Sequence, residues 1–290
     1  MVVYMKIGSL CTGYGGLDMA VEAYFNAETV WCAEIDKYAS KIIADRFNIT
    51  NYGDIKSINW NEVEPIDILT AGYPCQPFSI AGDRKGENDP RHIWPNIKEI
   101  ISILRPRIVI LENVKGHLTL GFNEVLKGLT QIGYDARWEI VRASQVGAPH
   151  HRARIFVIAY PSGERCKDQL CTEKSSGIKQ DITGDSKHFS WQHNRQVSEL
   201  GRRFTSRSEM SLQDPPHALV DGKVNANFVE YMMGLPVGWV TDLDLSRSQQ
   251  LKILGNGVVP QQAYHALEIL CDVSHISYNE TKLANAHSPT

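Results

Sequence analysis

The stretch Gly72-Tyr73-Pro74-Cys75-Gln76-Pro77-Phe78-Ser79 follows the apolar run Ile66–Ala71, and this junction decides the fold. The run is almost unbroken in apolar side chains, as expected for a parallel strand that is covered on both faces. Two prolines bracket Cys75 and restrict the backbone on either side, which predicts a stiff loop. The carboxyl ends of the strands are where open α/β sheets bind their ligands. The sequence therefore places a reactive thiol at the functional edge of a sheet.

Short apolar runs alternate with helix-like stretches around this strand, over the first 160 residues. This alternation is typical of a mostly parallel sheet with helices on its faces. We therefore predict an α/β fold with a doubly wound sheet. The further predicted strands are Lys6–Leu10, Thr29–Ile35, Arg107–Leu111, Tyr134–Arg142 and Arg154–Ala159, and the predicted helices are Gly15–Phe25, Lys37–Phe47, Arg91–Leu104 and Val258–Cys271.

The composition and the hydrophobic pattern of the sequence change after Tyr160-Pro161-Ser162-Gly163. From there to about Val224 the apolar runs vanish, and Ser, Gln, Asp, Lys and Arg dominate. A segment of this length without periodicity is unusual inside a compact domain. We predict a main domain over 1–160, an inserted small domain over 161–226 and a return to the main domain over 227–290. A solvated linker of mixed charge is the alternative interpretation of the insert.

The composition excludes several classes of protein. The chain has 290 residues, of which 42% are hydrophobic, and a formal net charge of −3. It has no apolar run long enough for a membrane span and no pattern of a secretory signal at its start. The six cysteines form no CxxC pair, so neither a disulfide framework nor a zinc site is expected, and a cytoplasmic setting fits. The mild acidity excludes a globally basic nucleic-acid binder but allows a local basic face.

A glycine-rich turn, Gly13-Tyr14-Gly15-Gly16, lies where the first strand should lead into the first helix. Asp18 stands where the GxGxxG dinucleotide fingerprint requires its third glycine, so that fingerprint fails. Glu34 ends the second strand about twenty residues later, the usual place for a carboxylate that holds ribose hydroxyls. Asp54 offers a further carboxylate nearby. These residues favour an adenosine-containing cofactor, with helix N-capping as the alternative role of the two carboxylates.

Charged residues end the strands that neighbour the thiol. Glu112, in Glu112-Asn113-Val114, ends the next apolar strand and is a candidate for acid–base chemistry. Arg152 and Arg154 begin a late strand, and either cation could lower the pKa of Cys75, which is about 8.5 for an unperturbed thiol. His150 and His151 precede them without a third ligand, so no metal site is expected. The alternatives are a buried cysteine in a turn, a capping glutamate and surface arginines.

Five motifs together resemble those of DNA (cytosine-5)-methyltransferases of the bacterial and phage restriction-modification type. They occur in that family's order, at compatible spacings, over nearly the whole chain. The motifs are Cys11-Thr12-Gly13-Tyr14-Gly15-Gly16, Gly72-Tyr73-Pro74-Cys75-Gln76-Pro77-Phe78-Ser79, Glu112-Asn113-Val114, Gln145-Val146-Gly147-Ala148-Pro149-His150-His151-Arg152-Ala153-Arg154 and Leu254-Gly255-Asn256-Gly257-Val258-Val259-Pro260.

The resemblance implies an activity and a set of catalytic residues. The activity is methyl transfer from S-adenosylmethionine to C5 of cytosine in a specific sequence of double-stranded DNA. Cys75 would add to C6 of a flipped-out base and Glu112 would hydrogen-bond or protonate N3. Arg154 would contact O2 of the base, and Arg152 would support the site.

The resemblance also implies how the cofactor is held. Gly13 and Gly15 would lie against its methionine end, Glu34 would take the ribose hydroxyls and Asp54 the adenine amino group. Asn256 and Val258 would complete the site from the last helix. Cys11 and Ile35 replace aromatic residues that the family prefers, and Trp94 is expected to compensate by lining the same pocket. The other expected contacts are Tyr14, Gly16 and Ile55.

Several alternatives remain beside this interpretation. The insert 161–226 lies where the family keeps its target-recognition domain, and we expect a monomer, with a separately acting restriction endonuclease as a compatible partner. A tRNA cytosine-5 methyltransferase would use the same cysteine and glutamate. A catalytically silent DNA-binding paralogue would be expected to lack Cys75 or Glu112. A nicotinamide dehydrogenase leaves Cys75 and Gly255-Asn256-Gly257-Val258 without a purpose.

Overall fold

The computed structural model describes residues 4–74, 93–163 and 215–271, and these form a seven-stranded sheet with helices on both faces. Cys75 and most of the predicted insert, residues 164–214, lie outside the described residues. The prediction of a doubly wound, mostly parallel α/β fold is confirmed.

The strands of the sheet run in the spatial order β3-β2-β1-β4-β5-β7-β6. Neighbouring strands from β3 to β5 are parallel, and β7 is antiparallel to both of its neighbours. The strands are β1 (Met5–Leu10), β2 (Ala27–Ala33), β3 (Thr50–Asn51), β4 (Ile68–Gly72), β5 (Ile108–Val114), β6 (Tyr134–Arg142) and β7 (Ala153–Pro161). A separate hairpin joins β8 (Leu219–Val220) to β9 (Lys223–Val224).

Local capping signals account for the helix boundaries. Asp36 accepts hydrogen bonds from the first backbone N–H groups of α2, and Ser246 forms a capping box with Gln249 at the start of α6. Arg105 ends α3 in the left-handed conformation, directly before Pro106. The helices are α1 (Gly16–Phe25), α2 (Lys37–Arg46), α3 (Trp94–Leu104), α4 (Phe122–Gln131), α5 (Ala226–Met232), α6 (Arg247–Asn256) and α7 (Pro260–Cys271), with short 3-10 helices at Lys115–Thr119 and Ala143–Val146.

Several predicted boundaries were wrong by two or three residues, namely both ends of β2, the starts of β4, α3 and α7, and the ends of β5 and β7. Strand β2 begins at Ala27 and ends at Ala33, because Glu34 turns inward to bond the glycine-rich turn. Helix α3 begins at Trp94 rather than at Arg91. Helix α7 begins at Pro260, a residue that is suited to the first turn of a helix because it has no N–H to donate.

Apolar clusters cover both faces of the sheet. One cluster packs α3 and α4 on the sheet through residues such as Ile97 and Leu129. On the other face, α1 and α7 contribute Val21 and Leu267. A third cluster attaches the segment that contains α5 and α6 to α1 and α2. Among the described residues no helix combines the length and the hydropathy that a membrane crossing requires.

The return segment is fastened to the glycine-rich turn by polar contacts. The indole N–H of Trp239 donates to the backbone oxygen of Tyr14 at 2.9 Å, and Arg46 donates to the backbone oxygens of Gly238 and Trp239. Glu230 is buried and accepts bonds from three backbone N–H groups and one hydroxyl of residues 238–241. The Trp239 bond holds the return segment against the turn after β1 and the Arg46 bonds hold it against α2, while the Glu230 bonds stabilise the return segment itself.

The packing of Tyr14 predicts that replacing Gly257 by alanine destabilises the protein more than replacing Gly255. A Cβ atom at Gly257 would overlap the buried ring of Tyr14, whereas one at Gly255 would meet open space. We expect Gly257→Ala to lower the free energy of unfolding by about 2 kcal/mol through overpacking. Gly255→Ala, the matched control, should change it by less than about 1 kcal/mol. Urea denaturation measures both values, and equal stability of the two variants would contradict this packing.

Candidate active site

A cavity of about 360 Å³ lies at the carboxyl ends of β1, β4 and β5, which is the edge predicted from the sequence. Residues from the far end of the chain, around Gly255-Asn256-Gly257-Val258, form its opposite wall. The cavity brings together seven of the predicted site residues, from segments far apart in the sequence. They are Cys11, Gly13, Glu34, Glu112, Arg154, Asn256 and Val258.

The glycine-rich turn opens directly onto this cavity. Gly13 has a φ of +60°, and no atom lies within 4 Å of the position that a Cβ would take. Gly15 has a φ of +84° and is the N-cap of α1. Glycine adopts this left-handed conformation without the steric penalty of other residues. The turn thus leaves its backbone accessible to a ligand at Gly13, whereas the predicted contact Gly15 is buried against the ring of Phe47 and does not line the cavity.

Glu34 organises the turn and also faces the cavity. One carboxylate oxygen accepts the backbone N–H of Gly13 at 2.8 Å, and the other accepts that of Asp36 at 2.7 Å. Burial raises the pKa of Glu34, while these backbone bonds oppose the rise. The helix cap of α2 is Asp36, so Glu34 has no capping role. A carboxylate oxygen has capacity for more than one donor, so Glu34 can still receive hydroxyl groups of a ligand.

Glu112 and Arg154 form a buried ion pair in the cavity, with 3.0 Å between the arginine Nε and a carboxylate oxygen. The pairing of the strands produces this contact, since β5 carries Glu112 and the antiparallel β7 carries Arg154. Burial raises the pKa of Glu112 to about 7, although the guanidinium groups of Arg154 and Arg152 oppose the rise. Near neutral pH this carboxyl group can therefore hold or release a proton, as an acid–base group must.

Arg152 has a different place from the one expected. Its guanidinium donates to the backbone oxygens of Gly255 and Gly257, and Arg152 is absent from the cavity lining. The residue adopts a φ of +23°. Arg152 thus holds the segment that carries Asn256 and Val258, rather than touching Glu112.

Four predicted cofactor residues are core residues in the structure. Tyr14 is fully buried and its hydroxyl donates to the backbone oxygen of Val258 at 2.7 Å. Gly16 allows that same oxygen to approach closely, and Ile55 belongs to the core. The expectation that Trp94 lines the pocket was wrong for the described residues. Its ring packs against Tyr73 and closely over Gly128 of α4, because Gly128 has no side chain there.

The remaining two predicted contacts lie near the cavity without lining it. Ile35 directly follows Glu34 and its side chain is 72% exposed. Asp54 accepts the backbone N–H of Lys56 at 3.0 Å. Burial, together with the carboxylates of Glu34 and Asp54, raises the pKa of the Cys11 thiol to about 12. Asp54 therefore lies close enough to the end of β1 to act on it electrostatically.

Three charged residues that line the cavity were not among the predicted site residues. Asp18 is buried, and one carboxylate oxygen bonds the Thr70 hydroxyl while the other lacks a hydrogen-bond partner within the described part of the chain. Burial raises the pKa of Asp18 to about 6. Asp36 and Lys252 form an ion pair at 2.9 Å between two walls of the cavity. Only Asp36 carried a sequence signal, as a helix-capping residue two places after Glu34.

His150 and His151 do not belong to a group of potential metal ligands among the residues that the structure describes. His150 lies within 2.9 Å of the backbone oxygen of Met232, and a hydrogen bond there requires its Nε2 to carry the proton. His151 lies near the hydroxyl of Ser144. Within residues 4–74, 93–163 and 215–271, no group of three or more potential ligands could hold a metal ion.

The raised pKa of Glu112 predicts a pH dependence of stability. Between its usual value near 4.5 and about 7, the unfolded chain releases this proton while the folded chain retains it, so stability falls as the pH rises. Glu112→Gln, which resembles the protonated form, should remove this loss, which is on the order of 2 kcal/mol. Urea denaturation between pH 5 and 8 measures the difference, with the exposed Glu139→Gln as the control. A constant difference across this range would contradict the shift.

Comparison with known proteins finds a matching family and similar sequences. A family model described as C-5 cytosine-specific DNA methylase matches residues 5–225. Type II methyltransferase M.NgoBI of Neisseria gonorrhoeae is 36% identical over 160 residues, which are 53% of this chain and 50% of that protein. Type II methyltransferase M.HhaI of Haemophilus parahaemolyticus is 35% identical over 161 residues, 54% and 49% of the two chains. This chain spans about half the length of these relatives.

A solved structure shares the fold at low sequence identity. The crystal structure of a DNMT2 mutant from Spodoptera frugiperda matches with a TM-score of 0.61 and 18% identity, and the match covers 92% of this chain and 100% of that one. At this identity the likeness concerns the fold alone. The family model extends over well more than half of the sequence, from β1 to the end of the hairpin β8–β9. The chain therefore belongs to the C-5 cytosine-specific DNA methylase family.

Proposed function

We propose that this protein transfers a methyl group from S-adenosylmethionine to C5 of cytosine within a specific sequence of double-stranded DNA. The observation that carries the proposal is the buried pair of Glu112 and Arg154, which lies in the cavity beside the end of β4. Cys75 follows that strand by three residues. The pair supplies a proton-holding group and a cation next to the chain segment that carries the thiol.

The cavity suits S-adenosylmethionine as the cofactor. Its volume lies in the range of small-molecule sites, which is about 300–1,000 Å³. Gly13 leaves an open approach to the backbone, Glu34 can accept ribose hydroxyls, and the unpaired oxygen of Asp18 adds negative potential. When bound, the cofactor supplies an electrophilic sulfonium methyl group. Asn256 and Val258 would close the site from the opposite wall, and Asp54 would bind the adenine amino group.

Glu112 has the proton affinity that the reaction on the base needs. C5 of cytosine is a poor nucleophile, and addition of the Cys75 thiolate to C6 places negative charge on the ring. A carboxyl group with a pKa near 7 can donate its proton to N3 and neutralise that charge. The methyl group that C5 then bonds would come from the sulfonium of the bound cofactor, whose sulfur–methyl bond would break to leave a neutral thioether. The methylated C5 would then lose its proton to a base, the C6–sulfur bond would break to release the thiolate of Cys75, and N3 would return its proton to Glu112.

Arg154 is suited to the neighbouring edge of the base. Its Nε is engaged by Glu112 and its Nη1 donates to the backbone oxygen of Ala153, which leaves the N–H groups of Nη2 for O2 of cytosine. The cation also favours the thiolate form of a nearby cysteine. Arg152 supports the site indirectly, because it donates to the backbone oxygens on either side of Asn256 and so holds that part of the cavity wall.

The burial of Glu112 restricts which form of the substrate can react. Glu112 is 7% exposed, so a base inside a stacked duplex cannot reach it and must be flipped out. We assign sequence recognition to the insert 161–226 and catalysis to 1–160 and 227–290. We expect the protein to act as a cytoplasmic monomer, with a separately acting restriction endonuclease as a compatible partner. A tRNA cytosine is the competing substrate, since it would use the same groups.

If Cys75 is the nucleophile, a variant that lacks its thiol should still bind both ligands but should not transfer the methyl group. Cys75→Ser should bind S-adenosylmethionine and DNA as the wild type does, but methyl transfer should fall by at least about a thousandfold, because a hydroxyl is a far weaker nucleophile than a thiolate. Bisulfite sequencing of treated plasmid measures methyl transfer, with tRNA as a parallel substrate. Full activity of the serine variant would contradict the covalent mechanism, and methylation of tRNA alone would exclude DNA as the substrate.

The wild-type adduct gives a direct check on the same mechanism. A DNA duplex in which 5-fluorocytosine replaces cytosine should trap the enzyme, since fluorine at C5 cannot leave as a proton does. A denaturing gel should show a protein–DNA species that requires Cys75. Absence of this species with DNA that the enzyme methylates would refute the bond to C6.

The role of Glu34 predicts a loss of cofactor affinity. In Glu34→Gln, one of the two backbone N–H donors would face an amide NH₂ group instead of an oxygen. We expect the Kd for S-adenosylmethionine in isothermal titration to rise by about tenfold or more. Glu28→Gln, at an exposed position of β2, is the control and should bind normally. Equal affinity of the two variants would remove Glu34 from the cofactor site.

A further inference from the structure

We propose that Tyr73 and His117 are positioning residues, which together hold the segment carrying Cys75 in place relative to Glu112. The proposal rests on the function proposed above and adds to it two residues outside the cofactor and base contacts. The hydroxyl of Tyr73 and Nε2 of His117 lie 3.0 Å apart and form a buried hydrogen bond. Tyr73 is 6% exposed and His117 is 3% exposed.

Tyr73 lies at the point where the sheet stops defining the backbone. The pairing between β4 and β5 ends with Gly72 opposite Glu112. Tyr73 follows at once, and Cys75 is two residues further along the chain. Beyond the last ladder pair, side-chain contacts must set the direction of the chain. Tyr73 is therefore the first residue beyond the paired strands, and its contacts act two residues before Cys75.

Two bonds fix Tyr73, one at its backbone and one at its side chain. The side-chain amide of Asn113 donates to the backbone oxygen of Tyr73 at 3.0 Å, and the same amide's oxygen accepts the N–H of Val114. The phenol oxygen bonds His117, on the 3-10 helix that follows β5. Both partners come from the segment that directly follows Glu112. The two segments that carry the reacting groups are thus joined to each other by side chains.

The surroundings of the pair leave little freedom for either ring. The ring of Tyr73 packs against Trp94, and His117 contacts the rings of both Tyr73 and Phe122 edge-on. These contacts belong to the core between α3, α4 and the sheet. We infer that the rigid contact between Tyr73 and His117 sets the distance between Cys75 and Glu112, which follow or end neighbouring strands. Reacting atoms displaced by about 1 Å can cost about a hundredfold in rate, so small losses of alignment become measurable.

The test measures the attack of Cys75 without the cofactor. Addition of the thiolate to C6 lets C5 take a proton from water; loss of the original C5 hydrogen and of the thiolate then restores the ring. Plasmid DNA labelled with tritium at cytosine C5 should therefore release tritium into water with wild-type enzyme. We expect Tyr73→Phe and His117→Leu each to slow this release roughly tenfold, as for one lost buried bond. The double variant should be no slower than either single variant, since all lack the same bond.

Matched variants separate positioning from stability. Tyr134→Phe also removes a buried tyrosine hydroxyl, which donates to the backbone oxygen of Pro106 at 2.6 Å, far from the cavity lining. It should lose comparable stability in urea and keep the wild-type rate of release. His117→Gln retains a polar group and should recover most of the rate. The Kd for S-adenosylmethionine should be unchanged in every variant, because neither residue lines the cavity.

The outcomes distinguish this inference from the proposed function. Wild-type release of tritium with unaltered rates in folded Tyr73→Phe and His117→Leu would overturn the positioning role alone. A rate loss in Tyr134→Phe equal to that of Tyr73→Phe would do the same, because it would assign the effect to stability. Absence of both tritium release and methylation by the wild type would overturn the proposed function, and the positioning role with it.

Discussion

The structure depends on the parallel pairing of β4 with β5, which ends with Gly72 opposite Glu112. Parallel strands bring their carboxyl ends to one edge, so two segments that are about forty residues apart in sequence meet there. Gly72 has no side chain, and a Cβ at that position would already lie 3.5 Å from a carboxylate oxygen of Glu112. A one-residue slip of this pairing would turn Glu112 to the opposite face of the sheet and remove it from the cavity.

Burial gives this edge its chemical character. Removing Glu112 from water raises its pKa, and the guanidinium groups of Arg154 and Arg152 oppose the rise only in part. Truncating one partner of such a pair leaves an uncompensated charge in the protein interior, which is strongly unfavourable. The antiparallel strand β7 matters for this reason, because it supplies Arg154 opposite the end of β5. The cost of burying the carboxyl group is what makes its proton available near neutral pH.

The second wall of the cavity comes from the end of the chain. The hydroxyl of Tyr14 ties that wall to the glycine-rich turn, and Arg152 ties it to the start of β7, in both cases through hydrogen bonds to backbone oxygens. Side chains that were candidates for ligand contact thus serve to bring two distant segments together. The ion pair of Asp36 and Lys252 bridges the same gap at the rim, where exposure to solvent limits its strength. The cavity lies between two parts of the chain. Side chains beside it therefore serve to pack these two parts together, and others to bind a ligand.

Six of the seven strands of the sheet and the helices α1, α2, α3 and α7 could be predicted from the sequence, because apolar periodicity, glycine-rich turns and prolines act over a few residues. Strand β3 and the helices α4, α5 and α6 were not predicted. The same local signals identified Gly13, Glu34, Glu112 and Arg154 as site residues, and the motifs indicated the family. The sequence alone did not decide which of the candidates face the cavity. Trp94 and Tyr14 proved to be core residues, and Asp18, Lys252 and the bond between Tyr73 and His117 had no local signature. Each of these depends on strand register and on contacts between residues far apart in the chain, which only the tertiary structure determines.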